Sequence, residues 1–496
     1  MPVNQFGRGR DRLRTAFLVD ELITGAAAGQ AEAEDQGDAR DKEPDRHGGK
    51  GTAGAGGYGL IVISNPEQVQ RVYLTLMLGN TLAASFIWGI NTIFLLDAGL
   101  SNLEAFAANA FFTAGMVIFE IPTGVVADTI GRRVSYMAGT LTLMATTLLY
   151  VMLWEINGPF WAWAIVSLLL GLGFTFFSGA VEAWLVDALD ATGFTGDLER
   201  IFGRGQIVTG IGMLTGSVIG GYVAQVTSLG VPFVMRAAVL VLMFFFAGWA
   251  MRDIGFEPRR SGSTIGEMKE ITRNSVRYGW HVPPVKWIML AAPFTAGVSF
   301  YAFYALQPYL LELVGDPEAY GIAGITAALV AGSQIIGGFL APRIRRMFRL
   351  RTSALLLAVG AGVVTLGLIG LVEEFWVAVG LIAVWAMLSA AAMPIRQSYI
   401  NGMIPSRQRA TILSFDSMLG SSGGVLAQPA LGRVADTSGY ATSYLYGAAI
   451  SVLALPFIAL SRREHPEADR ATGTPGQVAS ETESPSSTRP GSSTSP

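Results

Sequence analysis

Long apolar stretches constrain this chain more than any other feature. A bilayer core of about 30 Å needs about 20 apolar residues per crossing helix, and twelve stretches of the sequence meet that requirement. Only 14% of the residues are charged, whereas a soluble domain carries about 25%. We therefore predict an all-α membrane protein with twelve transmembrane helices. The predicted spans are 72–97, 103–127, 134–154, 160–187, 205–226, 231–251, 287–311, 319–341, 352–372, 375–399, 410–432 and 439–460.

Basic residues are distributed asymmetrically between the loops. The loops on one side of the predicted membrane contain Arg and Lys, whereas the first five loops on the other side contain none. Arg433, at the end of the eleventh span, is the one basic residue near that second side. Cytoplasmic loops are enriched in Lys and Arg, so we expect a multi-pass protein of the cell membrane with both termini in the cytoplasm.

The longest internal loop divides the twelve spans into two groups of six. We expect a disordered cytoplasmic tail at 1–70 and another at 464–496, because their composition is polar and rich in small residues. The N-terminal six-helix half then covers 71–252, the central cytoplasmic loop 253–286, and the C-terminal half 287–463. Within the central loop, Ile265–Tyr278 is a candidate interfacial helix.

Composition excludes several classes of function. The chain has no Cys, and its three His residues lie outside the apolar spans, so we predict no disulfide, no metal site in the membrane and no cofactor. A net charge of −3 gives no indication of a nucleic-acid partner. No Walker-type phosphate loop and no His-Glu-x-x-His motif is present, which argues against ATP coupling and against an intramembrane metalloprotease.

The loop between the second and third spans contains a spaced motif. Residues 124–133 read Gly-x-x-x-Asp-x-x-Gly-Arg-Arg, and a charged turn between two apolar spans must lie at the membrane surface. The motif resembles the signature loop between the second and third helices of the major facilitator superfamily, with Thr129 where many members carry Lys or Arg. A generic basic hairpin that obeys only the charge rule is the alternative interpretation.

This resemblance implies a solute transporter that works by alternating access, with two pseudo-symmetric six-helix halves. It also implies that the loop acid meets the cytoplasmic start of the eleventh helix and acts as a latch for the outward-facing state. Simple loop folding is the alternative role. A degenerate copy of the motif follows the eighth span at 338–346. The predicted latch residues are Gly124, Asp128, Gly131, Arg132, Arg133 and Asp187.

Glycines recur along the fifth span. Their spacing resembles the antiporter signature of proton-coupled drug exporters, with Ser217 in place of the usual Pro. The resemblance implies proton antiport. Close helix packing is the alternative, and it would occur in an importer too. The motif glycines are Gly203, Gly212, Gly216, Gly220 and Gly221.

Three acids inside the spans are candidates for proton coupling: Glu182, Glu120 and Asp416. An ionisable residue inside a membrane is costly and by default marks a functional site. Glu182 is the first candidate because the fourth helix lines the cavity in the resembled fold. Glu120 could instead belong to the latch network, and Asp416 could instead pair with Arg396. The fourth span lacks the Arg that many proton-coupled exporters carry there.

The first, fourth, seventh and tenth helices should line the substrate cavity. Their aromatic side chains suit an amphipathic or cationic solute through stacking and cation–π contact, although ordinary packing is an equal alternative. The scarcity of mid-membrane polar groups favours a hydrophobic substrate over a sugar. The cavity candidates are Trp88, Asn91, Trp184, Tyr301, Tyr304, Gln307, Trp385, Arg396 and Tyr399.

The leading hypothesis is a monomeric, proton-coupled secondary transporter that exports small amphipathic compounds. Its expected partners are the lipid bilayer, a small-molecule substrate and protons. A proton symporter that imports a small solute is the first alternative, and a non-transporting membrane sensor is a distant one.

Overall fold

The computed structural model describes residues 65–258, 280, 282–404, 409–464 and 469, and of 409–411 only the backbone. These residues form fourteen helices. The interfacial helix predicted at 265–278 and most of both predicted tails lie outside them. The helices are α1 (Pro66–Trp88), α2 (Asn91–Asp97), α3 (Asn102–Thr129), α4 (Arg132–Glu155), α5 (Phe160–Thr175), α6 (Ala180–Ala191), α7 (Leu198–Val226), α8 (Gly230–Ala250), α9 (Pro283–Val314), α10 (Tyr320–Arg346), α11 (Arg351–Ile369), α12 (Phe375–Asn401), α13 (Arg409–Val452) and α14 (Ala454–Glu464).

The helices confirm the predicted all-α membrane protein. By length and composition, ten helical stretches are able to cross a membrane, or eleven when α1 and α2 are taken as one bent span. α1 and α2 meet at an angle of 46° and together form the first span. α5 and α6 together form the fourth span, and α3, α4 and α7 to α12 correspond to single predicted spans.

Helix α13 contains a reversal of direction, so it supplies the eleventh span and, together with α14, the twelfth span. At 1.5 Å per residue its 44 residues would extend about 66 Å, about twice the apolar core of a bilayer. Gly439 interrupts it with φ of +82°. Before this break Asp416 pairs with Arg396, whose guanidinium also reaches the first turns of α9. After it, Glu464 accepts a hydrogen bond from Trp287 in those same turns. The chain therefore crosses the membrane and returns, which completes the twelve predicted spans.

The first helix begins earlier than predicted. Asn65 Oδ1 accepts the Gln68 N–H at 2.9 Å, and Pro66 occupies the first helical position, two features that favour a helix start. Residues 66–70, placed in the disordered tail by composition, are therefore helical. At the other end, Asp469 also differs from the predicted disorder. It is fully buried and accepts the Thr352 N–H at 2.7 Å.

The fourth span is not one helix, in contrast to the prediction over 160–187. It breaks at 176–179, where Gly179 adopts φ of +70°. The Ser135 hydroxyl donates to Phe176 O at 2.9 Å and so satisfies a carbonyl that has left the helical ladder. Gly179 and a hydrogen bond from the third span together support the break. The length of the apolar stretch depends on neither of them, so it predicted one continuous helix.

Close backbone contact holds the helices together. Lipid tails are as apolar as the side chains, so packing and hydrogen bonds must supply the association between helices. A Cβ at Gly115 of α3 would collide with Leu168 O of α5, and one at Gly171 would collide with Phe112 O. The second and fourth spans therefore touch through their backbones, which fixes the position of the break at 176–179 relative to α3.

Candidate functional site

The signature loop brings three predicted latch residues together. Arg132, the first residue of α4, forms an ion pair with Asp128 in the last turn of α3. Its Nε also lies 3.7 Å from Asp187 Oδ2 on α6. The Phe256 ring packs against the guanidinium, with Cζ 5.8 Å from the ring centroid. The arrangement joins the second, third and fourth spans at one end of the N-terminal half.

Asp253 is a member of this network that the sequence did not reveal. It follows α8 and accepts the Arg133 N–H at 2.9 Å, so it caps α4 at an end where Gly131 has no side chain to do so. Gly131 has φ of +139°, and a Cβ there would collide with Asp253 Oδ2. Burial raises the pKa of the Asp253 carboxyl, while the Arg133 N–H and the two guanidinium groups oppose that rise. An acid just after an apolar span is too common a pattern to have indicated this role.

Two parts of the predicted latch, Gly124 and the contact with the eleventh helix, are not seen in this network. A Cβ at Gly124 would meet open space, so close packing does not require glycine at that position. The loop acid, Asp128, was expected to contact the cytoplasmic start of the eleventh helix. The side chains there, at 405–411, lie outside the described residues, and so does that contact. The Arg133 guanidinium instead donates to Gly248 O at the end of α8.

Two candidate carboxylates lie at the break in the fourth span. Glu182 is in the first turn of α6, directly after the break, and is half-buried. Glu120 on α3 is exposed, and its Oε1 accepts the Ser178 hydroxyl at 2.7 Å within the break itself. A negative charge is favoured at a helix N-terminus. Discontinuous helices of this kind form substrate and ion sites in transporters.

The third candidate acid, Asp416, already has a partner. It is 7% exposed, and both of its oxygens accept from the Arg396 guanidinium. Arg396 also donates to Ile288 O at 3.3 Å. The two side chains form a bidentate ion pair between the tenth and eleventh spans, so Asp416 has the partner that was its alternative role, and the cavity role of Arg396 remains a prediction.

The glycines of the fifth span pack against neighbouring helices. A Cβ at Gly216 would collide with Ser85 Oγ, and one at Gly220 with Phe86 O, both on α1. A Cβ at Gly212 would lie 3.2 Å from Thr81 Cγ2, also on α1, and Gly221 touches Gly324 of α10. Gly203 has open space around it. The geometry is that of close helix packing, and the antiport role remains a prediction.

Gln307, a predicted cavity residue, occupies the break in the first span. Its Oε1 accepts the Thr92 N–H and its Nε2 donates to Trp88 O, both at 2.9 Å. In an uninterrupted helix the Thr92 N–H would donate to Trp88 O directly. The side chain is thus inserted into the ladder of backbone hydrogen bonds, a known cause of helix kinks, and it joins the two halves of the protein.

The other cavity candidates separate into two groups. Trp88, Asn91 and Tyr304 lie with Gln307 near the first-span break, where Trp88 stacks on Phe303 with centroids 4.4 Å apart. The remaining aromatic residues are buried among other side chains. The Trp184 indole donates a hydrogen bond to Arg252 O, and Trp385 is 8% exposed within an apolar cluster. The hydroxyls of Tyr301 and Tyr399 form hydrogen bonds with Ser443 and Ser461 of the twelfth span. These four are better described as core residues than as cavity lining.

The two halves are closed at the ends that the charge rule places outside, which we call the outer ends. Asp436 accepts the N–H groups of Asn102 and Leu103, each at 2.9 Å, and so caps the second span from the eleventh. Gln225 Oε1 accepts the Gly321 N–H at 3.1 Å between the fifth and eighth spans. With Gln307, these contacts form the outer junction. In the part of the chain that the structure describes, no group of three His or acidic side chains could hold a metal ion.

Comparisons with known proteins agree with this architecture. The family model of the Major Facilitator Superfamily matches residues 72–369. An uncharacterized MFS-type transporter of Methanocaldococcus jannaschii is 22% identical over 379 residues, covering 75% of this chain and 92% of that protein.

Solved structures share the fold at low sequence identity. The nucleoside transporter NupG superposes with a TM-score of 0.66 at 13% identity, covering 80% of this chain and 98% of that one. A bacterial homolog of the human lysosomal transporter Spinster, in an inward-facing and unoccupied conformation, gives 0.61 at 15% identity, covering 82% and 99%. A D-xylose–proton symporter gives 0.60 at 15% identity, covering 79% and 96%.

Proposed function

We propose a transport mechanism from one premise: the chain belongs to the Major Facilitator Superfamily, whose family model matches more than half of it. The protein is therefore a multi-pass membrane transporter. The finer proposal is a secondary active exporter of small amphipathic compounds, driven by proton antiport across the cell membrane, with both termini in the cytoplasm.

One observation carries the coupling proposal: two carboxylates meet a break in the fourth span. Glu182 lies in the first turn of α6 and Glu120 accepts from Ser178, so a change in the charge of either acid acts on the point where α5 and α6 join. Protonation removes the interaction between Glu182 and the positive end of α6. Protonation of Glu120 also weakens its hydrogen bond to Ser178, because hydrogen bonds to ionised acceptors are the stronger ones. Proton binding would thereby shift the angle between the two pieces of the span.

The signature loop would supply the second element of alternating access. Arg132 holds the second, third and fourth spans together through Asp128 and Asp187. A movement of α6 at the fourth-span break therefore reaches the loop directly, because Asp187 is on the same short helix as Glu182. We propose that this network biases the equilibrium between the two facing states, which is the role of a latch.

The test uses purified protein in proteoliposomes that contain a trapped pH dye. A pH gradient is imposed, and a panel of lipophilic amphipathic compounds is added. Substrate-dependent proton movement should occur with the parent protein and be lost in Glu182→Gln or Glu120→Gln. Glu199→Gln is the matched control, because Glu199 is also in the first turn of a helix but is exposed at its surface end.

The outcomes separate the alternatives. Substrate movement without proton flux would overturn proton coupling. Accumulation of substrate in the same direction as proton flow would identify a symporter and overturn export by antiport. Unchanged coupling in both glutamine variants would remove the fourth-span acids from the mechanism.

A further inference from the structure

The sixth span contains a buried cation, Arg236, that proton coupling does not use. Arg236 is 3% exposed, and its Nε donates a hydrogen bond to Thr147 Oγ1 of α4 at 3.1 Å. None of the ion pairs among the described residues involves it. An ionisable residue inside a membrane is expensive, and by default it marks a functional site.

Contacts on either side place Arg236 at the depth of the first-span break. One turn before it, the Phe233 ring stacks on Phe94 of α2 with centroids 4.0 Å apart. Two turns after it, the Met243 side chain fills the space beside Gly79 of α1. Arg236 lies between these two levels, and so does the break at 88–91.

The guanidinium has charged or polar neighbours in both halves. Its electrostatic neighbours are Tyr150 of the third span and Tyr304 of the seventh. Tyr304 follows Phe303, which stacks on Trp88 at the first-span break. A buried positive charge thus has an electrostatic neighbour on the same helix as one member of an aromatic pair that bridges the halves.

Other polar groups at the same break are buried and unpartnered. Thr92 Oγ1 and Asn109 Nδ2 have no hydrogen-bond partner, although Asn109 Oδ1 accepts from Asn91 at 2.9 Å. Both unpaired groups can donate a hydrogen bond, as the guanidinium can. Groups of this kind call for an acceptor, and a guanidinium matches the geometry of a carboxylate in particular.

We propose that Arg236 binds the anionic group of the transported compound, so that the substrate class is an amphipathic organic anion. The inference rests on the proposed transport function and narrows its substrate. The carboxylate lies against the guanidinium, and the apolar part of the compound packs beside Trp88. Binding supplies the negative charge that a buried cation otherwise lacks, which offsets part of the cost of burying it.

The test measures binding of three radiolabelled probes to the purified full-length protein by equilibrium dialysis. The probes are 2-naphthoate, 2-naphthamide and 2-naphthylmethylammonium, which share one ring system and differ in charge. The parent protein should prefer naphthoate. Arg236→Gln should weaken naphthoate binding about 10- to 100-fold, the range expected for hydrogen bonds to a charged group, and leave naphthamide binding unchanged. Arg236→Lys should be intermediate, and Arg433→Gln, which removes an exposed cation, should match the parent.

Equal affinity of the parent protein for naphthoate and naphthamide would overturn the anion site, as would equal losses for both probes in Arg236→Gln. If Arg236→Gln does not fold, the same comparison is made with Arg236→Lys, where an unchanged ratio of the two affinities counts against the proposal. Arg236-dependent naphthoate binding without proton movement would overturn only the proton coupling. Proton-coupled transport of the ammonium probe that is insensitive to Arg236→Gln would overturn only the anion site.

Discussion

Gln307→Leu should open the outer junction, because the Gln307 side chain replaces a missing backbone hydrogen bond in the first span. Its amide bonds to the Thr92 N–H and to Trp88 O, each at 2.9 Å. Leucine has a similar volume but no donor or acceptor. The substitution therefore removes two hydrogen bonds between the halves without leaving a large cavity.

The size of the effect depends on whether the first span straightens. Gln307 and Thr92 are both 0% exposed, so water does not replace the lost partners. If the break persists, two buried groups without partners cost about 2 to 6 kcal/mol; if the Thr92–Trp88 bond re-forms, the loss is about 1 to 3 kcal/mol. Even the smaller loss changes the ratio of closed to open junction about 5- to 150-fold.

Labelling of a single cysteine measures that ratio. The chain contains no Cys, so one introduced at Ala323, which is 0% exposed and whose carbonyl lies beside Gly89 at the junction, is the only target. A membrane-impermeant maleimide added from outside should react at least roughly fivefold faster in Gln307→Leu than in the parent.

A second glutamine offers the matched control. Gln225 also bonds across the halves, through one hydrogen bond to Gly321 N at 3.1 Å, but its environment is exposed. Gln225→Leu should change the labelling rate less, because water replaces the lost partner. Equal labelling of Gln307→Leu and the parent, at equal folded fraction, would refute the idea that Gln307 holds the junction closed.

Two further predictions concern the ends of the spans. Gly131→Ala should lower the melting temperature, because φ of +139° and the collision with Asp253 strain an alanine there by about 1 to 3 kcal/mol. Gly124→Ala is the control, because a Cβ at Gly124 meets open space and the melting temperature should not fall. Equal melting temperatures for the two variants would contradict this prediction. Asp436→Asn should speed outer-side labelling, because it removes a charge that caps the second span from the eleventh. Asp316→Asn is its control, since Asp316 caps only its own loop, and equal rates in the two variants would count against an outer clamp.

Apolar length predicted the spans well because each bilayer crossing imposes the same requirement on any helix. It predicted the breaks poorly. The bend between α1 and α2 depends on an amide from the seventh span, and the break at 176–179 depends on Ser135 from the third. Both partners are remote in sequence, so the residues around each break do not reveal them.

The candidate site shows the same division. The signature loop placed Asp128 and Arg132 together, the resemblance added Asp187 from the fourth span as a third member, and the structure brings the three together. It gave no sign of Asp253, whose contribution is one hydrogen bond at the end of a neighbouring helix. Aromatic residues in the predicted lining helices were also ambiguous, because packing and cavity lining use the same side chains.

The sequence by itself determined that this chain crosses a membrane twelve times as helices and that it resembles the Major Facilitator Superfamily, because hydrophobic length, charge asymmetry and one loop motif are local properties of the chain. Only the tertiary structure decided which polar side chains are inserted into helix breaks, which acids already have partners, and that Arg236 has a hydrogen bond to Thr147 but no ion-pair partner among the described residues. Those outcomes depend on which helices lie side by side, and hydrogen bonds and ion pairs between remote spans have no counterpart in the spacing of a single sequence.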